Sequence, residues 1–214
     1  SSDVNVSPGV LDFDKVDCGK QAPAQTVTIT NSSSAPVTFT ASLTANADYY
    51  DIDAVSTDTV NGSIAGMSSK TITILPAPLP AALEASDFMD GRYSGALTVS
   101  STANGNIVST KVVVLKQTAR GVLLDAISDI DTGAVVLGFY GADSASTLIN
   151  RGNLSATVSF SSPSQFVVSP STQVGAAVNG APGEGPFTVK FGPVEPGSTG
   201  DVVTLSVPSG TPVC

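Results

Sequence analysis

The chain has 214 residues, a formal net charge of −9 and no histidine or tryptophan, with 13% charged and 6% aromatic residues. Without histidine it cannot build a Ser-His-Asp or Cys-His catalytic centre or an imidazole metal site. An acidic chain with no basic run repels phosphate backbones, which excludes nucleic acid as a partner.

A hydrophobic fraction of 41% without tryptophan implies a core of Val, Leu, Ile and Ala packed with eight Phe. Ser, Thr, Gly, Asn and Pro take the surface, a pattern of extracellular β proteins, so the expected location is secreted or cell-surface. No apolar stretch reaches bilayer-spanning length. No charged-then-apolar leader opens the sequence, so in a secreted protein Ser1 would be a mature end.

The elements follow in chain order. Asp3, Val4, Asn5, Val6 and Ser7 alternate and form a segment free to act as a donor strand. Period-two patterns then predict strands at Gly9 to Phe13, Gln25 to Thr30, Val37 to Leu43, Tyr49 to Val55, Lys70 to Leu75, Tyr93 to Val99 and Ile107 to Leu115. Turn signals separate them at Cys18-Gly19, Asn31 to Ser34, Asn61-Gly62, Asp90-Gly91 and Asn104-Gly105. Asn104-Gly105 predicts a two-residue hairpin, because both central residues of that turn need positive φ. Leu79 to Ser86 is the one stretch suited to a helical turn. Further strands are predicted at Leu123 to Ile130, Ser146 to Asn150, Ser155 to Phe160, Gln165 to Val168, Pro186 to Phe191 and Asp201 to Val207.

The pattern is written twice. Val16-Asp17-Cys18-Gly19 and Asn31 recur as Val135-Val136-Leu137-Gly138 and Asn150 at an offset of 119, and Leu97-Thr98-Val99 recurs as Leu205-Ser206-Val207 at an offset of 108. The expected fold is all-β, two tandem immunoglobulin-like sandwiches over residues 1–120 and 121–214. The second copy has no counterpart of the strand from Ile107 to Leu115, and Cys214 aligns with Asn106.

Ser7-Pro8-Gly9-Val10-Leu11-Asp12-Phe13, Cys18-Gly19, the run from Thr26 to Val37, Tyr93 to Val99 and Thr118-Ala119-Arg120-Gly121 resemble the Hydin-type (ASH) family of immunoglobulin-like domains. The second copy resembles it more loosely, through Gly133 to Gly138 and Leu148 to Gly152. Such domains are similar to repeated modules of bacterial secreted and surface proteins, and to major-sperm-protein and pilus-chaperone sandwiches. The resemblance implies a scaffold or interaction module with no shared catalytic residues.

No catalytic, cofactor-binding or metal-binding residue is assigned. The aspartate groups Asp48, Asp51, Asp53 and Asp125, Asp129, Asp131 match no calcium loop and read as solvated faces. Tyr49-Tyr50 could stack on a sugar, but adjacent strand residues face opposite ways. Asn5, Asn31, Asn61 and Asn153 begin sequons that a Ser-rich chain produces by chance.

The missing strand leaves an open edge at Asp201, Val202, Val203, Thr204 and Leu205. Three accounts compete. A continuation of the chain supplies the strand; a neighbouring subunit inserts one, Asp3 to Ser7 being the donor; or the domain closes with fewer strands, shielded by Pro208 and Pro212. Cys18 and Cys214 permit one disulfide, which needs Cα atoms within about 7 Å. They read either as unpaired thiols or as a bond, to another subunit or within a folded-back chain. The expected function is a non-catalytic extracellular structural or adhesive protein, assembled head to tail into a filament, with other subunits or neighbouring domains as partners. The alternative is an accessory or carbohydrate-binding module of a secreted hydrolase, with surface glycans as partner.

Overall fold

The computed structural model describes residues 3–53, 58–162 and 165–214. The chain is all-β and divides into two compact units, Ser1–Ala119 and Arg120–Cys214. Ser1 and the last two residues of the strand expected to end at Val55 lie outside the described residues.

The first unit is a two-layer sandwich. One sheet runs in the order β1 (Val4–Ser7), β3 (Gln25–Asn31), β7 (Ser68–Pro76), β5 (Tyr50–Ile52). The other runs β2 (Val10–Asp17), β9 (Asn106–Arg120), β8 (Gly95–Ala103), β4 (Val37–Ala45), β6 (Thr59–Ile64). Period-two alternation sends Val27, Ile29, Ile72 and Ile74 inward from the first sheet and Phe39, Ala41, Leu97, Val99, Val113 and Leu115 inward from the second, all buried. The outward residues of β3 and β7 pair as Thr26 with Thr73, Thr28 with Thr71 and Thr30 with Ser69. β-branched hydroxyl side chains suit a half-wet pleated face.

Asn104 and Gly105 both take positive φ, 50° and 78°, and join β8 to β9 as the hairpin rule requires. Asn61-Gly62 is not a turn. It lies inside β6, opposite Thr40 and Phe39. A Cβ on Gly62 would stand 2.6 Å from the Phe39 ring, so glycine is there to admit the ring. The helical stretch is a single 3-10 turn at Ala85–Phe88, later than expected.

The second unit has two three-stranded sheets, β10 (Ser144–Asn150), β14 (Gly183–Phe191), β12 (Phe166–Val168) and β13 (Ser171–Val174), β11 (Ala156–Ser161), β15 (Thr204–Ser206). The first has the order of β3, β7, β5, and the second that of β6, β4, β8. Leu148, Val158, Val174, Phe187 and Val189 form its buried core. Phe160 stacks on Phe187 at 4.8 Å and Phe166 on Phe191 at 5.0 Å between centroids.

The strand expected over Leu123 to Ile130 is reduced to single bridges, Val122 with Val213 and Leu124 with Asn150. Residues 125–143 carry no strand. In the first unit β2 lies beside β9; with no strand in the β9 position among the described residues, an extended apolar segment here has no described ladder to join.

Candidate functional site: the open edge of the second unit

Two buried asparagines set the frames around which the loops are built. Asn31, fully buried, ends β3 and donates from Nδ2 to the carbonyls of Ala35 at 2.8 Å and Ala65 at 3.1 Å. Its Oδ1 accepts from the Ser33 backbone N at 3.1 Å and the Ser33 hydroxyl at 2.7 Å. Asn150, also fully buried, ends β10. It donates to the Leu154 and Gly175 carbonyls at 2.8 and 2.7 Å and accepts from the Leu123 and Gly152 amides at 3.0 and 2.9 Å. A buried amide with its donors and acceptors filled replaces the ladder that each strand loses at its end. In the sequence Asn31 reads as a turn residue and Asn150 as the end of a strand; the signal of something more was their recurrence at a fixed offset.

The open edge lies on the other sheet. β15 pairs with β11 on one side, Phe160 facing Leu205. It ends its sheet's order, so among the described residues no strand lies on its other side. Its three residues are exposed, with Leu205 at 37%, while Val203 and Val207 are half-buried. Asp201 and Val202 precede the strand and are exposed, Val202 at 77%. Pro212, one of the two prolines expected to shield the edge, is held elsewhere. Pro212 and Cys214 bond instead to Val122, through Val122 N to Pro212 O at 2.8 Å and Cys214 N to Val122 O at 2.9 Å.

Beside this edge the core is reached by two adjoining cavities. One of about 380 Å³ is bounded by residues 125–130 on one side, Asp201, Val202, Val203 and Leu205 on the other, with Phe166, Phe187 and Val189 as its floor. The second, of about 900 Å³, continues between residues 129–137 and 193–201 over Phe166 and Phe191. The arrangement is an apolar trough beside a row of unsatisfied backbone groups, which can take an extended peptide.

The expected donor is already in use. Val4 to Ser7 form β1, paired antiparallel with β3 from Val4 opposite Asn31 to Ser7 opposite Thr28, and Asp3 O accepts from Ser32 N at 2.7 Å. Pairing at home gives the segment its hydrogen bonds and buries Val4, so it does not hang free. Cys18 and Cys214 are both disulfide-bonded, and the chain has no third cysteine. The reading as unpaired thiols is thereby overturned.

Tyr49 and Tyr50 form no platform. Tyr50 is buried and its hydroxyl donates to the Tyr93 carbonyl at 2.6 Å, while the Tyr49 ring meets Tyr93 edge-on at 4.9 Å. Desolvation pushes the Tyr50 hydroxyl well above the usual phenol range, and Tyr93 up to about 12, again chiefly by desolvation. Among the described residues no three His, Cys, Asp or Glu side chains are placed to hold a metal ion, and no helix is long and apolar enough to cross a membrane.

No protein-family model matches the chain, and no curated protein does. Solved structures with some likeness include an ASH/PapD-like domain of human CEP192, 14% identical, covering 56% of this chain and 86% of that one with a TM-score of 0.41. The periplasmic chaperone SfaE is 12% identical, covering 98% of this chain and 95% of its own, with a TM-score of 0.40. A Caenorhabditis elegans MSP family member, WR4, is 14% identical over 56% of this chain and 99% of its own, with a TM-score of 0.37. At these scores the likeness adds nothing to what the strand order establishes.

Proposed function

We propose that the chain is a non-catalytic structural or adhesive protein of two tandem immunoglobulin-like domains, working outside the reducing cytosol, whose second domain accepts a β-strand from a partner protein alongside β15. The observation that carries this reading is the unpaired outer side of β15 above an apolar trough. Backbone pairing would supply affinity, and alternate side chains entering the trough would supply selection. Disulfide-bonded cysteines support an oxidising compartment. Assembly through Asp3 to Ser7 is not part of the reading, because β1 is held in its own sheet.

The test uses the intact protein and a synthetic peptide of residues 106–120, the segment that occupies the corresponding place beside β8. Hydrogen exchange at residues 201–207 is expected to slow at saturating peptide, with residues 95–103 unchanged. Exchange that is indifferent to the peptide contradicts the proposal.

A further inference from the structure

We infer that the strand accepted by this trough carries lysine or arginine beside its apolar side chains; the inference rests on the strand-accepting reading above and names the chemistry of the partner segment. Five of the seven carboxylates within residues 120–214, those of Asp125, Asp129, Asp131, Glu195 and Asp201, line the two cavities, and none of the three cationic side chains of that stretch does. Arg151 is spent on Asp125, its Nε lying 2.9 Å from both carboxylate oxygens, and Lys190 stands 3.8 Å from Asp143 and over the Tyr140 ring. Asp131 and Asp201 each accept a local backbone amide, from Gly133 and Val202, which leaves their charge in place.

The trough thus combines a floor of Phe166, Phe187, Val189 and Phe191 with an acidic rim on which, among the described residues, only Asp125 has an ion-pair partner from its own domain. A neutral strand entering it would gain the apolar contacts but bring no counter-charge, and an acidic one would be repelled. The first unit shows what such a strand looks like. In β9, Val113 and Leu115 point into the core while Lys111 and Lys116 are exposed beside them. The chain's own N-terminal strand opens on Asp3 and has no cation, a second reason that it is not the occupant. The accepted segment therefore has apolar residues at alternate positions and basic residues next to them.

Fluorescence anisotropy with the disulfide-intact protein tests this with three labelled peptides: residues 106–120, the same peptide with Lys111→Glu and Lys116→Glu, and a scrambled peptide of unchanged composition. The native peptide is expected to bind about tenfold or more tighter than the charge-reversed one. That margin should shrink as salt shortens the screening length from about 10 Å to about 3 Å. The protein variant Asp129→Asn, Asp131→Asn, Glu195→Gln, Asp201→Asn, its fold checked by circular dichroism, should lose the margin. Equal binding of native and charge-reversed peptides overturns the inference and leaves strand acceptance standing. Equal binding of the scrambled peptide overturns it as well, since charge alone would then suffice. No binding by any peptide overturns both readings.

Discussion

Leu97 stands opposite Val113 across the β8–β9 ladder and is fully buried, whereas Leu205, aligned with it by the 108-residue offset, keeps 37% of its surface beside an empty strand position. One neighbouring strand makes that difference. Leu97→Ala removes a core side chain and is expected to cost about 3 kcal/mol, within the usual range for such truncations. Leu205→Ala should cost under about 1 kcal/mol. Urea unfolding of the two variants checks the pair, and equal losses would mean that β15 is covered.

The buried asparagines should be as sensitive as core residues. Asn150→Ala strips partners from the Leu154 and Gly175 carbonyls and from the Leu123 and Gly152 amides, and Asn31→Ala does the same around Ala35, Ala65 and Ser33. Each is expected to lose about 2–4 kcal/mol in chemical denaturation. Asn61→Ala, at an exposed position, should lose no more than about 1 kcal/mol.

Alkali should loosen the first domain. Tyr50 and Tyr93 both have phenol pKa values raised by burial above the unfolded value near 10, Tyr93 to about 12. The folded state therefore holds protons that the unfolded state releases, and the stability tied to them is full below pH 10 and lost as pH rises above it. Thermal unfolding between pH 8 and 12 is expected to show a steepening fall that Tyr50→Phe reduces. A stability flat through pH 11 would contradict the burial of these hydroxyls.

Both thiols are consumed in the oxidised chain. Thiol titration of the unfolded, unreduced protein should find none, and reduction should add two hydrogens to a mass equal to one chain. A ladder on a non-reducing gel would restore the cross-linked filament.

Most strands of the first unit were legible because their inward residues alternate in runs such as Val27, Ile29 and Ile72, Ile74. β6 was not, since Asn61-Gly62 carries a turn signature and only the Phe39 ring opposite explains the glycine. The apolar run from Leu123 to Ile130 misled in the other direction. Its pattern suits a strand, but pairing depends on a neighbour that no local pattern can report. The place of β15 at the end of its sheet's order goes with a difference between two copies of one pattern. The acidic rim was not legible, since the pair Asp129 and Asp131 is far in sequence from the pair Glu195 and Asp201, and the two meet only through the cavities.

Amide hydrogen exchange of the peptide-free protein, read at Thr204–Ser206 against Gly95–Ala103, tests the account most directly. An unpaired edge predicts that the amides on the outer side of β15 exchange orders of magnitude faster than those of β8, which are held between β9 and β4. Protection of β15 equal to that of β8 would mean that a strand already occupies the position, and the acceptor reading would fall.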